Sequence, residues 1–582
     1  MTQGVRITLL TGHLQLAPVL AAWHYAEWGH LYSPDTWSLA NAVREFETMA
    51  APGARDLTWL AFDGDTHDAD ALLGSVSLLA SDDLPGFEHL GPWLASLFVT
   101  RAARGRGVAA ALIDALLRAA RAAADGPVYL FTSGQQRFWA DRGWCFVADA
   151  DAGGQPVTVM ARSTHPRAAR RATCSQWCAD PDHGGAYSHL RLGATVAERR
   201  RLAGEILPGL WFAGEATSAE YPATMHGAWF SGERAAAQVL ADPSRARVAV
   251  VGAGLAGLAA ARTLRGAGRG VVVLESKAIA GGRIVVDRST GAALPLGGAW
   301  LHGTEGHPLR ECVSAVREDW DRPAFFVAGF GILGAEDAAA VTAAYTLLHE
   351  AFAAAEPGSS VAAVLAATLA SSTWRPVVRD AVTAWITAEC AGLYGAPLDD
   401  MPANGGFEPY ALPGGDHLVT SDLGALAERL AEGLDLRRRH RVGTLRRDGG
   451  HWVVDEQFAV DAVIVSVPIG VLGAGRLTFT PGLPDDVRIA IAGLGAGPVV
   501  KIFALFDEAW WPAARPIRLT GGGLIGTITD VSAATGRPTL ACFAVGDAAR
   551  SLEALTEHEL CRVVDRELAA VGLNDWGLAE QS

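Results

Sequence analysis

A glycine turn between a strand and a helix restricts the fold of this chain more than any other feature. Gly252, Gly254 and Gly257 follow the apolar run Val248–Val251 and open the helical segment AGLAAARTL. About 20 residues further on, Glu275 ends a second apolar strand, VVVLE. The glycines permit a tight turn and close approach to a pyrophosphate, whose charge the helix N-terminus stabilises, while the carboxylate accepts hydrogen bonds from a ribose. Together these parts predict a Rossmann-like dinucleotide site.

Composition excludes several classes of protein. The 582 residues are 50% hydrophobic and 19% charged, which excludes disorder and predicts a multidomain α/β chain. The net charge of −15 argues against nucleic acid as a partner and is compatible with a cationic substrate. No apolar stretch is long enough to span a membrane, and seven scattered cysteines indicate the reducing cytoplasm and no metal site. The sequence does not fix the oligomeric state.

Changes in composition and pattern divide the chain into segments. An arginine-rich stretch without apolar period marks a linker, and the alanine-rich region from about Glu305 to Cys390 has helical periods. The predicted segments are 1–162, an N-terminal α/β domain; 163–171, the linker; 172–245, a strand, turn and helix; 246–303, the dinucleotide-binding βαβ unit; 304–420, a mostly helical substrate-domain region; and 421–582, the remainder of the dinucleotide and substrate domains.

A second glycine turn lies in the N-terminal domain, between a strand that ends at Val99 and a helix. Its glycines and basic side chains, with the helix N-terminus, suit a pyrophosphate. The turn consists of Arg104, Gly105, Arg106, Gly107, Val108 and Ala109. With the strands PWLASLFV and VYLFT and the segment QQRFWADRGWCFV, residues 1–160 resemble the GNAT acetyltransferases. The resemblance implies that the turn and Val99 bind acetyl-CoA as cosubstrate.

One position departs from the GNAT pattern. Many members have a tyrosine that protonates the leaving CoA thiolate, where this chain has Trp139. An indole N–H is a far poorer acid, so two alternatives stay open. The domain transfers acetyl groups by way of a water or another side chain, or it is an inactive, acyl-CoA-binding module.

The dinucleotide region resembles the flavin amine oxidases, which include polyamine oxidase and lysine-specific histone demethylase. The resemblance rests on Gly281-Gly282-Arg283 after the second strand, LGGAWLHG from Leu296, VIVSVPIGVL from Val463, and GPVVKIFALFDEAWW, which carries Lys501. A second glycine turn and a guanidinium suit a pyrophosphate. The resemblance implies FAD as cofactor and a lysine that holds a water near flavin N5.

The most specific motif of this superfamily precedes the glycine fingerprint, whereas in the family it lies near the C-terminus. It is LWFAGEATSAEYPATMHGAWFSGERAAAQVL, from Leu210 to Leu240. We interpret this order as a circular permutation in which segment 172–245 is the displaced C-terminal segment of the flavin amine oxidase fold, and such a permutation requires old termini that are close in space. The helix predicted near Thr224 points its N-terminus at the flavin, where its dipole and the backbone donors of residues 223–225 stabilise the negative charge of the reduced ring.

The resemblance implies a set of site residues. Those expected to contact FAD are Gly252, Gly254, Gly257, Glu275, Gly281, Gly282, Arg283, Gly298, Ala299, Trp300, Gly214, Glu215, Ala223, Thr224, Met225 and Val442. Lys501, His302 and Tyr221 are the expected catalytic residues, with Tyr187 as a further candidate for the amine pocket. Covalent members attach the flavin through a cysteine in the closing segment, and residues 219–224 contain none, so FAD is expected to be noncovalent.

The functional hypothesis is a fused, bifunctional enzyme. The oxidase oxidises an amine, a polyamine or N-acetylpolyamine, to an imine and aldehyde, and molecular oxygen becomes hydrogen peroxide. The alternative is a tailoring oxidase for a biosynthetic amine or amino acid. An amino-acid oxidase needs a carboxylate clamp, usually an arginine in the pocket, and the sequence does not place one.

Overall fold

The computed structural model divides into two compact units. Unit 1 comprises Met1–Arg171 and Thr556–Arg562, and unit 2 comprises Ala172–Leu555 and Val563–Ser582. The structure describes residues 5–31, 37–64, 66, 68–82, 84–123, 126–140, 142, 144–164, 167–318, 323–328, 331–511, 516–520 and 523–573. Within these ranges no helix is both long enough and apolar enough to cross a membrane.

Unit 1 is a single mixed sheet flanked by helices. Its strands are β1 (Val5–Leu9), β2 (Leu57–Asp63), β3 (Leu72–Leu79), β4 (Trp93–Val99), β5 (Pro127–Thr132), β6 (Cys145–Ala152) and β7 (Gln155–Ser163), in the order β1-β2-β3-β4-β5-β7-β6. Its helices are α1 (Ala17–Trp28), α2 (Leu39–Ala50), α3 (Val108–Ala123) and α4 (Gln136–Ala140). The predicted strands from Leu57 and Leu72 are therefore neighbours, as the alternating pattern indicates.

Strands β4 and β5 separate soon after they meet. They are parallel, and their pairing register contains Trp93 and Tyr129 alone among the described residues. In β4, Ser96 and Leu97 lie opposite the single residue Val76 of β3, so β4 carries a bulge, and Ser96 has φ 56°. A bulge bends a strand and increases its local twist. The backbone of β4 beyond Trp93 is thereby left without a ladder partner on the β5 side.

Unit 2 carries the remaining elements, apart from Arg171 of β8 and the residues of α16 up to Arg562, which belong to unit 1. Its strands are β8 (Arg171–Cys174), β9 (Ser188–Leu190), β10 (Glu205–Leu207), β11 (Leu210–Phe212), β12 (Arg247–Val251), β13 (Gly270–Glu275), β14 (Val286–Asp287), β15 (Leu294–Pro295), β16 (Trp300–His302), β17 (Ala315–Arg317), β18 (Ala324–Val327), β19 (Gly331–Ile332), β20 (Asp416–Val419), β21 (Asp435–Arg438), β22 (Thr444–Asp448), β23 (His451–Val454), β24 (Phe458–Val460), β25 (Ala462–Val465), β26 (Thr478–Thr480), β27 (Leu494–Ala496), β28 (Val499–Leu505), β29 (Ile517–Thr520), β30 (Thr527–Asp530) and β31 (Thr539–Val545). Its helices are α5 (Val196–Ala203), α6 (Met225–Leu240), α7 (Leu255–Gly266), α8 (Ala335–Ala353), α9 (Val361–Ser371), α10 (Pro376–Gly392), α11 (Leu423–Ala431), α12 (Ile469–Gly473), α13 (Asp485–Ala492), α14 (Ser532–Thr535), α15 (Gly546–Leu552) and α16 (Glu557–Ala570).

A six-stranded sheet, β10-β11-β25-β12-β13-β21, forms the first half of unit 2. All its pairs are parallel except β10 with β11. The apolar runs Val248–Val251 of β12 and Ala462–Val465 of β25 are buried. A parallel sheet is covered on both faces, so the residues that point to either face of such a strand are buried. Helices α6 and α7 pack closely, because a Cβ on Gly232 would lie 2.1 Å from the carbonyl oxygen of Ala256. The later part of segment 172–245, from β10 to α6, is thus part of the dinucleotide half of unit 2.

A seven-stranded sheet, β19-β18-β29-β30-β31-β28-β8, forms the second half. Helices α8, α9 and α10 build a separate apolar core beside it around Leu348, Phe352 and Ile386. The region predicted as mostly helical, 304–420, differs at its start, where β17, β18 and β19 precede the helices. The four-residue run of β18 pairs in parallel with β29, almost 200 residues away, and no local period signals such a distant partner.

Candidate active site

A cavity of about 640 Å³ lies in unit 2, within the range of cofactor and ligand sites. It is bordered by the turn after β12, the end of β13, the start of α6, and the face of the seven-stranded sheet. The predicted site residues that line it are Gly252, Gly254, Glu275, Gly281, Gly282, Arg283, Gly298, Ala299, Trp300, Gly214, Glu215, Ala223, Thr224, Met225, Val442, Lys501, His302 and Tyr187. The structure therefore brings together segments that lie up to about 300 residues apart in the sequence.

The three fingerprint glycines have different environments. Gly252 has φ +100°, and a Cβ there would lie 2.8 Å from Ser466 Oγ. A Cβ on Gly254 would have no protein atom within 3.9 Å, so this backbone borders open cavity. A Cβ on Gly257 would lie 2.0 Å from the carbonyl oxygen of Gly252, and this residue does not line the cavity. Gly257 thus serves helix–strand packing rather than ligand contact.

Glu275 is held in place by backbone donors. Its Oε2 accepts from the N–H of Ala253 at 2.7 Å, and its Oε1 accepts from the N–H of Lys277 at 2.8 Å. The residue is 6% exposed and lines the cavity at the end of β13. This is the position where a ribose lies in a βαβ dinucleotide site.

Glu215 is the centre of a buried polar network. Its Oε1 accepts from Arg283 Nη1 at 3.0 Å, and its Oε2 accepts from Ser188 Oγ at 2.6 Å and from the N–H of Ala223 at 2.9 Å. Burial, the largest single effect, would raise the pKa of Glu215, but the guanidinium groups of Arg283 and Arg199 together with the hydrogen bonds from Ser188 and Ala223 hold its pKa below the ordinary value. Glu215 is therefore a fixed anion that joins β11 to the second glycine turn.

One expected donor to the cofactor, the N–H of Ala223, needs correction, and one nitrogen of Arg283 has partners within the protein. The N–H of Ala223 donates to Glu215 and is not free for the ligand, while Ala223 itself adopts φ 59°. One nitrogen of Arg283, Nη1, likewise donates to Glu215 and to the carbonyl of Ala186. Sequence reasoning missed both because it treated each residue as a ligand contact and did not see the carboxylate between them.

Helix α6 begins at Met225, next to the predicted start. The N-cap Thr224 accepts a hydrogen bond from the N–H of Gly227 through its Oγ1 at 2.9 Å. Both Thr224 and Met225 line the cavity, at the positive end of the helix dipole. An anionic ring edge bound there is stabilised.

Lys501 lies in the middle of β28 and is 8% exposed, as its apolar neighbours in the sequence predict. Its Nζ donates to the carbonyl oxygen of Gly297 and lies 4.6 Å from the Trp300 ring centre and 5.6 Å from that of Phe543. Burial lowers the pKa of Lys501 to about 7. The chain has one other lysine, Lys277. A lysine is the basic side chain whose pKa burial shifts readily.

His302 is oriented by a partner that sequence reasoning missed. It ends β16 and pairs in register with Asp416 on β20, and His302 Nδ1 lies 2.9 Å from Asp416 Oδ1. An ionised carboxylate only accepts, so the Nδ1–H donates and the Nε2 of the neutral ring keeps its lone pair. Tyr410 packs edge-on against the imidazole at 5.1 Å.

Tyr221 and several unpredicted residues change the expected amine pocket. Tyr221 does not line the cavity; its ring packs against His226 at 4.9 Å and Phe230 at 6.1 Å. The hydroxyl of Tyr187 donates to the carbonyl of Gly392. The wall far from the fingerprint is instead formed by residues for which no motif exists, namely Tyr345, Trp385, Glu389, Tyr410, Arg518, Thr527 and Phe543.

The turn in unit 1 has the predicted local form. Gly105 and Gly107 both have φ 80°, and α3 begins at Val108. Arg106 Nη2 lies 3.0 Å from both carboxylate oxygens of Asp63, and Arg104 Nε donates to the carbonyl of Val99 at 3.3 Å. The Val108 side chain is buried, so Val108 offers a ligand its backbone only. Glycines and a helix N-terminus thus surround one position suited to a phosphate.

The fold and the cavity define unit 2 as a dinucleotide-dependent oxidoreductase. Comparison with protein families identifies which one. The family of flavin containing amine oxidoreductases matches residues 156–240 and 373–577, a NAD(P)-binding Rossmann-like domain matches 250–316, and the acetyltransferase (GNAT) family matches 20–144. The chain therefore belongs to the flavin amine oxidoreductases, with a GNAT domain fused in front. Its oxidase cofactor is FAD, and the GNAT domain is of a family that uses acetyl-CoA.

The chain is similar to several named proteins and to a solved structure. Polyamine oxidase 4 of Oryza sativa subsp. japonica is 29% identical over 346 residues, which are 54% of this chain and 71% of that protein. Polyamine oxidase 2 of Arabidopsis thaliana is 28% identical over 53% of this chain and 69% of its own. Protein FLOWERING LOCUS D of Arabidopsis thaliana is 32% identical over 47% and 37%. A redesigned putrescine oxidase aligns over 56% of this chain and 81% of its own, at 22% identity and a TM-score of 0.45.

The residues of the cavity fit FAD. The backbone at Gly254 borders open space, Glu275 stands at the ribose position, and the start of α6 faces the cavity. Around Lys501, the rings of Trp300 and Phe543 form an apolar wall. Glycine-lined and apolar ends of one cavity suit the pyrophosphate and the isoalloxazine, respectively.

Proposed function

We propose that unit 2 oxidises an aliphatic amine with FAD and molecular oxygen. The observation that carries the proposal is the convergence of Lys501 and His302 on the cavity that the fingerprint glycines border. Bound FAD supplies a two-electron acceptor: a hydride leaves the α carbon, the imine takes up water to give an aldehyde and a free amine, and oxygen becomes hydrogen peroxide.

The chain's own residues prepare the amine. His302 Nε2 keeps a lone pair because Asp416 holds Nδ1–H, so it accepts the proton of an incoming ammonium. Lys501, with its pKa lowered by burial, holds a water near the reacting carbon. The rings of Trp300 and Phe543 exclude bulk solvent and stabilise a developing iminium by cation–π attraction.

The names of the relatives suggest a polyamine as the class of substrate. On that hypothesis the N-terminal domain transfers an acetyl group from acetyl-CoA to an amine, and acetylation removes one charge before oxidation. The turn at Gly105 and Gly107 supports acetyl-CoA binding. The pairing would make the chain bifunctional.

An inactive, acyl-CoA-binding unit 1 is the second candidate, and one observation favours it. Trp139 is 8% exposed and packs edge-on against Trp144 at 5.4 Å, so the residue at the family's tyrosine position belongs to the core. Release of free CoA thiol from acetyl-CoA in the presence of polyamines decides between the two. Acetyl-CoA binding without thiol release supports the binding module.

The oxidase proposal is tested with the purified full-length chain and a panel of amines. Anaerobic addition of a substrate bleaches the flavin absorbance, and peroxide forms once air is admitted. A panel of mono-, di- and polyamines and amino acids that leaves the absorbance unchanged would refute the proposal. Acid precipitation tests the noncovalent attachment of FAD, because a noncovalent flavin stays in the supernatant.

We also propose that unit 2 is circularly permuted relative to its family. The start of segment 172–245 packs on residues near the other end of the unit: Glu553 accepts from the N–H groups of Cys178 and Ala179 at 2.9 and 2.8 Å. A connection that joins the chain near Glu553 directly to residue 172 would therefore be short. A gene in which residues 172–245 follow residue 573 should produce a soluble yellow protein, and a colourless insoluble product would contradict the proposal.

A further inference from the structure

A row of four side chains crosses the seven-stranded sheet on its cavity face. Arg518 faces Thr527, Thr527 faces Phe543, and Phe543 faces Lys501 in successive antiparallel pairs. Residues directly opposite one another on neighbouring strands project from the same face, and all four line the cavity. Neighbouring strands lie about 4.8 Å apart, so three steps separate the backbones of Lys501 and Arg518 by about 14 Å.

Arg518, at one end of the row, is buried and held in place by a hydrogen bond. Arg518 is 8% exposed, and its Nη1 donates to Thr527 Oγ1 at 2.5 Å. Burial lowers the pKa of Arg518 to about 10, which leaves the guanidinium charged at neutral pH, and the nearby Glu389 carboxylate acts in the opposite direction to burial. A planar guanidinium is the side chain that best binds a carboxylate.

A carboxylate stands beside it on α10. Glu389 Oε2 accepts from the hydroxyl of Tyr345 at 2.9 Å and from His349 Nε2 at 3.0 Å. Among the described residues none donates to Oε1, and Glu389 lines the cavity. Tyr345 stacks on Trp385 with ring centres 3.9 Å apart, which gives a flat aromatic wall. An acceptor atom and an aromatic wall suit an ammonium.

We infer that this end of the cavity binds an α-amino-acid group, so that the substrate is a basic amino acid oxidised at its far, terminal amine. The substrate carboxylate binds the Arg518 guanidinium, and its α-ammonium binds Glu389 Oε1 against Tyr345 and Trp385. The terminal amine then lies at the end of the row where Lys501 stands. The inference rests on the proposed amine oxidation and names its substrate class.

A polyamine fits this arrangement less well. It has no carboxylate to accept hydrogen bonds from the Arg518 guanidinium, so its second ammonium contacts Glu389 alone. A basic amino acid such as ornithine or lysine instead carries a carboxylate, an α-ammonium and a terminal amine on one aliphatic chain.

Three ligands with the same terminal amine test the inference. L-lysine carries both the α-ammonium and the carboxylate, cadaverine lacks the carboxylate, and 6-aminohexanoate lacks the α-ammonium. With the FAD-loaded full-length chain, kcat/KM from peroxide release should be highest for lysine. Arg518→Gln should lower the ratio of kcat/KM for lysine to that for cadaverine about 100-fold, the effect of removing one partner from a buried charge pair. Glu389→Gln should instead lower the ratio of kcat/KM for lysine to that for 6-aminohexanoate.

The outcomes separate the inference from the proposed function. A higher kcat/KM for cadaverine or spermidine than for lysine, or an Arg518→Gln variant that keeps the wild-type ratio of lysine to cadaverine, would overturn the inference while amine oxidation stands. No flavin reduction by any amine or amino acid would overturn the proposed function itself. If Arg518→Gln does not retain FAD, Arg518→Lys decides, because a lysine keeps the charge but not the bidentate geometry and should lower the same ratio.

Discussion

The carboxylate of Glu215 lies 2.9 Å from the backbone nitrogen of Ala223, at the point where the chain turns into helix α6. Ala223 has φ 59°, a conformation that costs free energy for a residue with a Cβ. The buried hydrogen bond from its N–H offsets that cost and fixes where α6 begins. The same carboxylate contacts Arg283, so one side chain sets the relative position of the helix start and the second glycine turn.

Glu215→Gln should weaken FAD binding and lower the stability of the holoprotein. The amide loses the charge that faces Arg283, and a buried pair that loses one partner costs about 3–5 kcal/mol. Titration of the apoprotein with FAD and thermal denaturation measure the two effects. Glu233→Gln is the control, since this exposed residue on α6 contacts Trp229 alone among the described residues. Equal behaviour of the two variants would contradict the role of Glu215.

Alanine at two fingerprint glycines should give opposite results. A Cβ at Gly254 meets no protein atom closer than 3.9 Å, so Gly254→Ala should leave the apoprotein stable and weaken FAD binding by intrusion into the cavity. A Cβ at Gly257 would lie 2.0 Å from a backbone oxygen, so Gly257→Ala should destabilise the apoprotein itself. Denaturant unfolding of both apoproteins checks the contrast. Comparable unfolding midpoints would show that the helix and strand tolerate the methyl group.

Lys501→Met should remove one ionisation from the pH profile of flavin reduction. With a pKa of about 7, Lys501 is neutral above that pH, and we expect the rate at saturating substrate to rise through this range in the wild type. The variant should be about 100-fold slower, with no inflection near pH 7. Lys277→Met should keep the inflection. An inflection that persists in Lys501→Met belongs to another group.

The same shift predicts a dependence of stability on pH. Between the folded pKa of about 7 and the ordinary lysine value of about 10.4, the unfolded chain binds a proton at Lys501 that the folded chain does not. The contribution of Lys501 to stability therefore increases as pH rises through this window. The unfolding free energy of the wild type minus that of Lys501→Met should therefore increase as pH rises across this window.

Asp416→Asn should impair proton removal from the substrate in a pH-dependent way. The amide can donate to His302 Nδ1, which moves the ring proton to Nε2 and removes the acceptor. We expect kcat/KM to fall about 100-fold at neutral pH, with a smaller defect as the free amine becomes abundant at high pH. His302→Asn and the double variant should show the same loss, because the pair acts as a unit. Additive losses would assign the two residues separate roles.

Local signals predicted the dinucleotide half of the site and the turn of unit 1. The strand, glycine and helix pattern around Gly252 fixes its geometry within a few residues, so sequence was sufficient. Lys501 followed from the family resemblance, and its burial from the apolar residues on either side of it. The sequence also predicted the helix at Thr224, which starts one residue later.

The substrate half of the site was not predictable in the same way. Glu389, Arg518 and Asp416 come from a helix and two strands whose pairing is set by distant partners, such as β18 with β29. No local sequence pattern predicts that these three residues lie in one cavity. Tyr221 lies within a motif that the sequence did match, yet its ring packs against His226 and Phe230 and not toward the cavity.

The cross-strand row between Lys501 and Arg518 also determines how the length of ligand accepted by the pocket can change. Hydrogen-bonded strands keep a spacing of about 4.8 Å. The distance between the oxidised end and the charged end of a ligand can therefore change only in steps of one strand spacing. An arginine transferred from β29 to the facing position on β30, Thr527, would accept ligands one such interval shorter. Chain-length selectivity in this pocket therefore changes in discrete steps and not by gradual repacking.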